Sequence, residues 1–134
     1  MQQPLIAWEP KANFTVRGDR LLLCHVLMNL INNALSSITS VEKGEIFISI
    51  YKDDKSNYIV VEDTGRGMTE KEVKRIFDRF FSKTPGGAGL GLAFCNRVIR
   101  SFGGSLSCQS EFGEYTRMII TLPNIDEALE QDSD

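Results

Sequence analysis

Between Asp19 and Ile38, apolar residues recur at Leu23, Leu27, Leu30, Ile31, Ala34 and Ile38, the i, i+3, i+4, i+7 spacing of one helical stripe. A stripe that long must be buried against a second layer, so the rest of the chain has to supply one. Residues 45–51 begin it, because Ile46, Ile48 and Ile50 alternate onto one face. The polar stretch from Asp53 to Asn57 then turns the chain into Tyr58-Ile59-Val60-Val61, and the two runs read as a hairpin. Asp19 is a good N-cap for the helix, and Phe14-Thr15-Val16 before it reads as a short strand ending at Gly18-Asp19.

Further on, Thr69-Glu70-Lys71-Glu72 is a capping box that opens a short helix through about Phe77. A glycine-rich loop, Gly86 to Gly91, leads into a second long helix with apolar positions Leu92, Cys95, Val98, Ile99 and Phe102, stopped by Gly103-Gly104. Strands are expected at about 105–109 and 116–122, the second alternating through Met118, Ile120 and Leu122. The expected architecture is an α+β two-layer sandwich with helices on one face of a mixed, largely antiparallel sheet. Residues 1–123 form one domain in this reading, and residues 124–134 an acidic tail or linker. The 134 residues, 42% apolar and 25% charged, suit a single soluble domain and exclude disorder, collagen and coiled coil. No apolar run approaches 18 consecutive residues and no charged-then-apolar leader opens the chain, so neither a membrane span nor a secretory signal is expected.

The net charge of −3 is concentrated at one end. Residues 124–134 hold Asp126, Glu127, Glu130, Asp132 and Asp134 and no base; setting those five aside from the 18 acids leaves 13 against 15 bases. A body that close to neutral argues against a nucleic-acid surface. Cys24, Cys95 and Cys108 form no C-x-x-C pair, and His25 is the single histidine, so a Cys/His zinc site is not expected. The cysteines read as small buried thiols of a reduced, cytosolic protein.

Three constellations could carry chemistry. His25, Asn29 and Asn33 follow one another at i+4, so the two amides share a helix face beside the apolar stripe. Buried amides need partners, and an amide oxygen can also ligate a hard cation such as Mg²⁺ that is shared with phosphates. Asp63-Thr64-Gly65-Arg66-Gly67-Met68 follows an apolar strand directly, with Asp63 in phase with Ile59 and Val61. A carboxylate there can accept from an amino group, and the glycines let a planar ligand approach the backbone. Gly86-Gly87-Ala88-Gly89-Leu90-Gly91-Leu92 opens a helix, where backbone N–H groups make a phosphate cradle. It is not a P-loop, because no Lys-Ser/Thr follows the last glycine. Taken singly, each has a plain alternative: a solvent-facing amide, a strand-ending turn, a flexible loop.

Their order is specific, and over about Phe14 to Pro123 it resembles the ATP-binding module shared by sensor histidine kinases, gyrase B, MutL and the large heat-shock chaperone, the Bergerat fold. Within that superfamily the chain is similar to the catalytic domain of two-component sensor histidine kinases. Gly18-Asp19 with His25-Val26-Leu27 and Asn29-Leu30-Ile31-Asn32-Asn33-Ala34 resembles the N box, and Asp63 to Gly67 the G1 box. Ile76-Phe77-Asp78-Arg79-Phe80-Phe81 resembles the F box, Gly87 to Leu92 the G2 box, and Ser110-x-x-Gly113 through Thr116 to Leu122-Pro123 the closing strand.

The resemblance implies ATP and Mg²⁺ as cofactors. It makes Asn33 the Mg²⁺ ligand with Asn29 in support, and Asp63 the acceptor for the adenine 6-amino group, with Thr116 meeting the same edge through water. Gly65, Gly67 and Met68 would lie against the base, and Gly87, Gly89, Leu90, Gly91 and Leu92 would shape the phosphate end. Phe77 and Phe80 would anchor the root of a lid, and Lys83 would reach the phosphates. Ser36 and Ser37 stand where family members often have Lys and an aromatic, removing a phosphate contact and a stacking ring, and Tyr115 stands where glycine is common.

Hydrolytic members carry a Glu four residues before the metal Asn; here that position is Asn29, and an amide cannot act as general base. The remaining alternatives are an anti-sigma-type serine kinase and a non-catalytic nucleotide-binding module. His25 is followed by Val26 rather than an acid and reads as a packing or polar-face residue, so the phosphoacceptor histidine is expected on a separate dimerisation domain. The implied partners are that domain and a downstream receiver domain or response regulator, with no nucleic acid and no direct membrane contact. The implied location is the cytoplasmic side of a sensor. Leu92-Ala93-Phe94-Cys95, Gly103-Gly104 and Gly113-Glu114-Tyr115 resemble the hybrid quorum-sensing kinases of vibrios.

Overall fold

Asp19 starts the first helix as its capping chemistry predicts: its carboxylate accepts from Leu22 N at 3.0 Å while its own backbone is extended. The computed structural model describes residues 5–10, 13–42, 44–79, 81 and 91–125. In chain order these form β1 (Leu5–Pro10), α1 (Arg20–Ser40), β2 (Glu45–Lys52), β3 (Ser56–Asp63), α2 (Glu70–Arg75), α3 (Gly91–Ser101), β4 (Ser105–Glu111) and β5 (Tyr115–Pro123). The strands build one sheet in the order β1-β2-β3-β5-β4, with β1 parallel to β2 and every other neighbour antiparallel. The helices pack on one face of it and α1 packs on α3. This is the α+β two-layer sandwich with a mixed, largely antiparallel sheet.

The core lies between the α1 stripe and that face. Val26, Leu30, Ala34 and Ile38 form an i+4 row of buried residues on α1, opposite Ile46 of β2, Ile59 and Val61 of β3, and Met118, Ile120 and Leu122 of β5. Burying side chains the size of Leu30 or Ile120 contributes about 1.5–3 kcal/mol each, so this row fixes how the helix sits. By length and composition α1 could cross a membrane, yet its buried row is spent on the sheet. A second apolar row faces outward, with Leu21 77% and Met28 57% exposed. The β2–β3 turn is tied by Asp53, whose carboxylate accepts from Lys55 N, Ser56 N and the Tyr58 hydroxyl at 2.8–2.9 Å. The Ser56 N–H first, then Tyr58 and Lys55, hold its carboxyl below the ordinary value.

Three local expectations are corrected. Phe14-Thr15-Val16 is not a strand; the chain's first strand is β1, which takes the free edge of β2 in the register Leu5↔Glu45 to Pro10↔Ile50. Phe14 and Val16 instead reach the core as half-buried side chains of an irregular segment. The short helix ends at Arg75 and continues as a turn closed by Asp78 N on Arg75 O. Of the cysteines, Cys95 is buried, Cys108 half-buried and Cys24 exposed, because position 24 lies off the core row of α1.

Candidate functional site

Sheet register brings the first two site residues together. Asp63 ends β3 directly opposite Thr116 of β5, and both side chains point to the helical face, in phase with Ile59, Val61 and Met118. They close one end of a cavity of about 190 Å³ whose walls include Asn33, Ala34, Gly67, Met68, Gly91 and Leu92. That is below the roughly 300–1,000 Å³ of sites that enclose a whole drug-sized ligand. It suits one end of a ligand, with the remainder extending past the rim.

The closed end has a defined hydrogen-bond polarity. Asp63 is 3% exposed, and its Oδ1 accepts from Gly65 N at 3.0 Å and from Ser37 Oγ at 2.9 Å. Ser110 Oγ accepts from Met68 N at 2.8 Å and donates to Tyr115 O at 2.7 Å, and it lies 2.9 Å from Thr116 Oγ1. A hydroxyl has one proton. Ser110 uses its own on Tyr115 O, so Thr116 donates to Ser110 and turns acceptor lone pairs elsewhere. Asp63 and Thr116 therefore present acceptors, which complement an amino edge and repel an oxo edge. Ser110 also holds Tyr115 in a regular strand path, with the Tyr115 ring 5.3 Å from the Arg117 guanidinium.

The loop after Asp63 is clamped on two sides. Gly67 has φ +69, and a side chain there would run into the Glu111 carbonyl and the Gly113 backbone; Gly113 N donates to Arg66 O at 2.7 Å. Gly65 packs behind Asp63 against α1, where a Cβ would stand 2.5 Å from Ser37 Oγ and 2.6 Å from Ser37 C. The space Gly65 leaves is thus filled by the helix.

The two asparagines separate. Asn33 is exposed and lines the cavity. Asn29, one turn earlier, donates to His25 O at 3.1 Å, and its Oδ1 would be 3.2 Å from a Cβ at Gly91, the first residue of α3. It also reaches the Cys95 thiol, whose pKa burial pushes up to about 11 against the pull of that hydrogen bond. His25 meets Phe94 edge-on at 6.2 Å. Phe77 is half-buried against the core and Phe81 lines the cavity. Phe80, Lys83, Gly87, Gly89 and Leu90 lie outside the described residues.

Sequence reasoning missed Ser37 and Ser110 as working parts. Ser37 was legible in one respect: it continues the i+4 row His25, Asn29, Asn33. Ser110 had no signal beyond its place before the closing strand.

The family model described as "Histidine kinase-, DNA gyrase B-, and HSP90-like ATPase" matches residues 18–126. The chain is 37% identical over 122 residues to the autoinducer 1 sensor kinase/phosphatase LuxN of Vibrio harveyi, an alignment that covers 90% of this chain and 14% of that protein. Among solved structures, the nucleotide-free catalytic domain of the histidine kinase ThkA superposes with a TM-score of 0.77 at 26% identity, covering 90% of this chain and 80% of that one. Full-length ShkA in complex with AMPPNP also gives 0.77, at 29% identity, covering 89% of this chain and 25% of that one.

Proposed function

The chain belongs to the histidine kinase-, DNA gyrase B- and HSP90-like ATPase family, and we propose that within it this is the catalytic, ATP-binding domain of a sensor histidine kinase. It spans 14% of the length of the curated LuxN relatives. In this reading the phosphoacceptor histidine lies on a separate dimerisation domain. In this reading residues 1–123 bind Mg-ATP and present the γ-phosphoryl group to that histidine. Residues 124–134 lead to a receiver domain or response regulator, on the cytoplasmic side.

The observation that carries the proposal is the pair of acceptors at the closed end of the cavity. Asp63 and Thr116 suit the 6-amino edge of adenine, while Gly67 and Met68 flank the base. Among the described residues no group of three or more His, Cys, Asp or Glu side chains could hold a metal ion. Mg²⁺ is often held by one or two protein oxygens together with substrate phosphates, and Asn33 at the cavity rim suits that role. When bound, Mg²⁺ neutralises phosphate charge. Gly91 and Leu92 open α3 beside the rim, and in this reading Lys83, Gly87, Gly89 and Leu90 complete the phosphate end. Transfer to an imidazole then depends on orientation and charge stabilisation.

The test is calorimetric titration with AMPPNP with and without Mg²⁺. Saturable binding strengthened by Mg²⁺ is expected, and in Asn33→Ala the Mg²⁺ enhancement should fall while affinity in EDTA holds. No heat and no thermal shift at millimolar nucleotide would remove the proposal.

A further inference from the structure

We propose that Ser37 is a positioning residue for adenine recognition: its hydroxyl fixes the rotation of the Asp63 carboxylate and so sets the preference for a 6-amino over a 6-oxo purine. The inference rests on reading the cavity as an adenine-nucleotide site and adds to it the device that aims the recognising group.

The direction of the bond follows from counting protons. Ser37 Oγ lies 3.0 Å from Arg66 N and 2.9 Å from Asp63 Oδ1. The Arg66 amide can only donate, so it occupies an oxygen lone pair, and the single hydroxyl proton is directed to the carboxylate. Gly65 N donates to the same Oδ1 at 3.0 Å. Two donors, one from α1 and one from the loop after β3, thus converge on one oxygen of a residue that is 3% exposed. This matters because the terminal torsion of an aspartate is broad and has no deep well of its own. Without the Ser37 bond that oxygen loses one of these two donors, and the carboxylate is held less firmly in its rotation.

Position 37 and position 65 are matched. The Gly65 backbone presses against Ser37 and Ile38 N so closely that a Cβ would stand 2.5–2.7 Å from them. A small residue with a hydroxyl is what the site accommodates. Where the resemblance read the serine as the loss of a stacking ring, its contacts describe a gain: the helix bearing Asn33 is bonded to the residue that reads the base. Ser37 is also bonded to Arg66 N, so one hydroxyl links the helix, the acid and the loop.

The experiment titrates ADP and IDP into the wild-type chain, Ser37→Ala and Ser37→Thr by calorimetry, with thermal melts in parallel. A hydrogen bond to a charged group is stronger than one between neutral groups, and an indirect effect on the ligand recovers part of that strength. Ser37→Ala should therefore cut the ADP-over-IDP affinity ratio by about three- to tenfold. Ser37→Thr keeps the hydroxyl and should hold the ratio near wild type. A purely structural role would lower the melting temperature and weaken both nucleotides equally; that result, or an unchanged ratio in folded Ser37→Ala, overturns the proposal. If Ser37→Ala is unfolded at the assay temperature, Ser37→Thr decides: a ratio within about twofold of wild type supports the proposal, and a larger loss overturns it. Failure of the wild-type chain to bind ADP would instead remove the functional reading itself.

Discussion

Replacing Asp63 with asparagine changes one atom in the closed end of the cavity, and the surrounding bonds dictate how the amide must sit. Oδ1 of Asp63 accepts from Gly65 N at 3.0 Å and from Ser37 Oγ at 2.9 Å. An amide that put its NH₂ there would face two donors, so the Asp63→Asn side chain is forced to keep its oxygen toward them and turn its NH₂ to the other side. Both accepted bonds survive, weakened from charge-assisted to neutral, a loss of about 1 kcal/mol each. Relief of the buried charge offsets part of it. The fold should therefore persist with a melting temperature lower by several degrees. Binding suffers differently. The adenine 6-amino group now meets a donor, and leaving a polar group unsatisfied costs about 1–3 kcal/mol, or roughly 5- to 150-fold in ADP affinity. A 6-oxo purine gains where adenine loses, so the ADP-over-IDP ratio should fall further than the ADP affinity itself. Calorimetry of ADP and IDP against both proteins, with melts to confirm folding, measures all of this. An Asp63→Asn variant that binds ADP within about twofold of wild type would refute the assignment of Asp63 to the amino edge.

Gly67→Ala should be costly to the fold itself, before any effect on ligand is counted. A non-glycine residue at φ +69 costs about 1–2 kcal/mol, and the Cβ must also displace the Glu111–Gly113 turn, so a melt unchanged within a degree would contradict the clamped loop. Burial pushes the Cys95 thiol up to about 11 from 9.0, so Cys95 stays protonated where the unfolded chain ionises. Its contribution to stability is present below pH 9 and is lost as pH rises from about 9 to about 11, which urea midpoints across that window would register. Native alkylation at about pH 8 should modify exposed Cys24 and leave buried Cys95 until the chain is denatured, as mass spectrometry of the two peptides would read.

Periodicity carried most of this fold. The α1 row, the alternation in β5 and the phase of Asp63 with Ile59 and Val61 all depend on spacing within one element, and spacing is local. What was illegible depended on partners. β1 has no clean alternation and is bounded by Pro4 and Pro10; it is a strand because β2 offers it an edge, which propensity does not encode. Gly65 looked like room for a ligand and is room for a helix, a distinction that requires knowing what lies opposite. The polarity of the Asp63–Thr116 pair needed Ser110, opposite Thr116 across the β4–β5 turn, and Ser37, on a helix 26 residues before Asp63, because a hydroxyl's direction is set by its other partner.

The division between binding and chemistry gives a last expectation: alone, this chain should bind ATP yet neither hydrolyse it appreciably nor label itself. Water attack needs a base beside the cavity rim. The residue one turn before Asn33 on α1 is Asn29, whose amide donates to His25 O and whose oxygen lies beside the first residue of α3, so that position offers neither a proton acceptor of useful basicity nor a free orientation. Self-labelling needs a nucleophile in line with the γ-phosphorus. His25 sits two turns before Asn33 on the same rigid helix, with its ring against Phe94 at 6.2 Å, and a helix cannot bend one of its own residues back onto a ligand held by another. If the proposed reading holds, what is lacking is an oriented imidazole, and mixing the chain with a phosphoacceptor domain as a separate polypeptide should give transfer, since the gain from orientation is large once both reactants are held. Incubation with labelled ATP, followed by acid and base treatment, distinguishes the outcomes. Acid-labile label on the chain alone that disappears in His25→Gln would make His25 a phosphoacceptor and overturn the division. Rapid release of inorganic phosphate would move the chain to the hydrolytic side of its family.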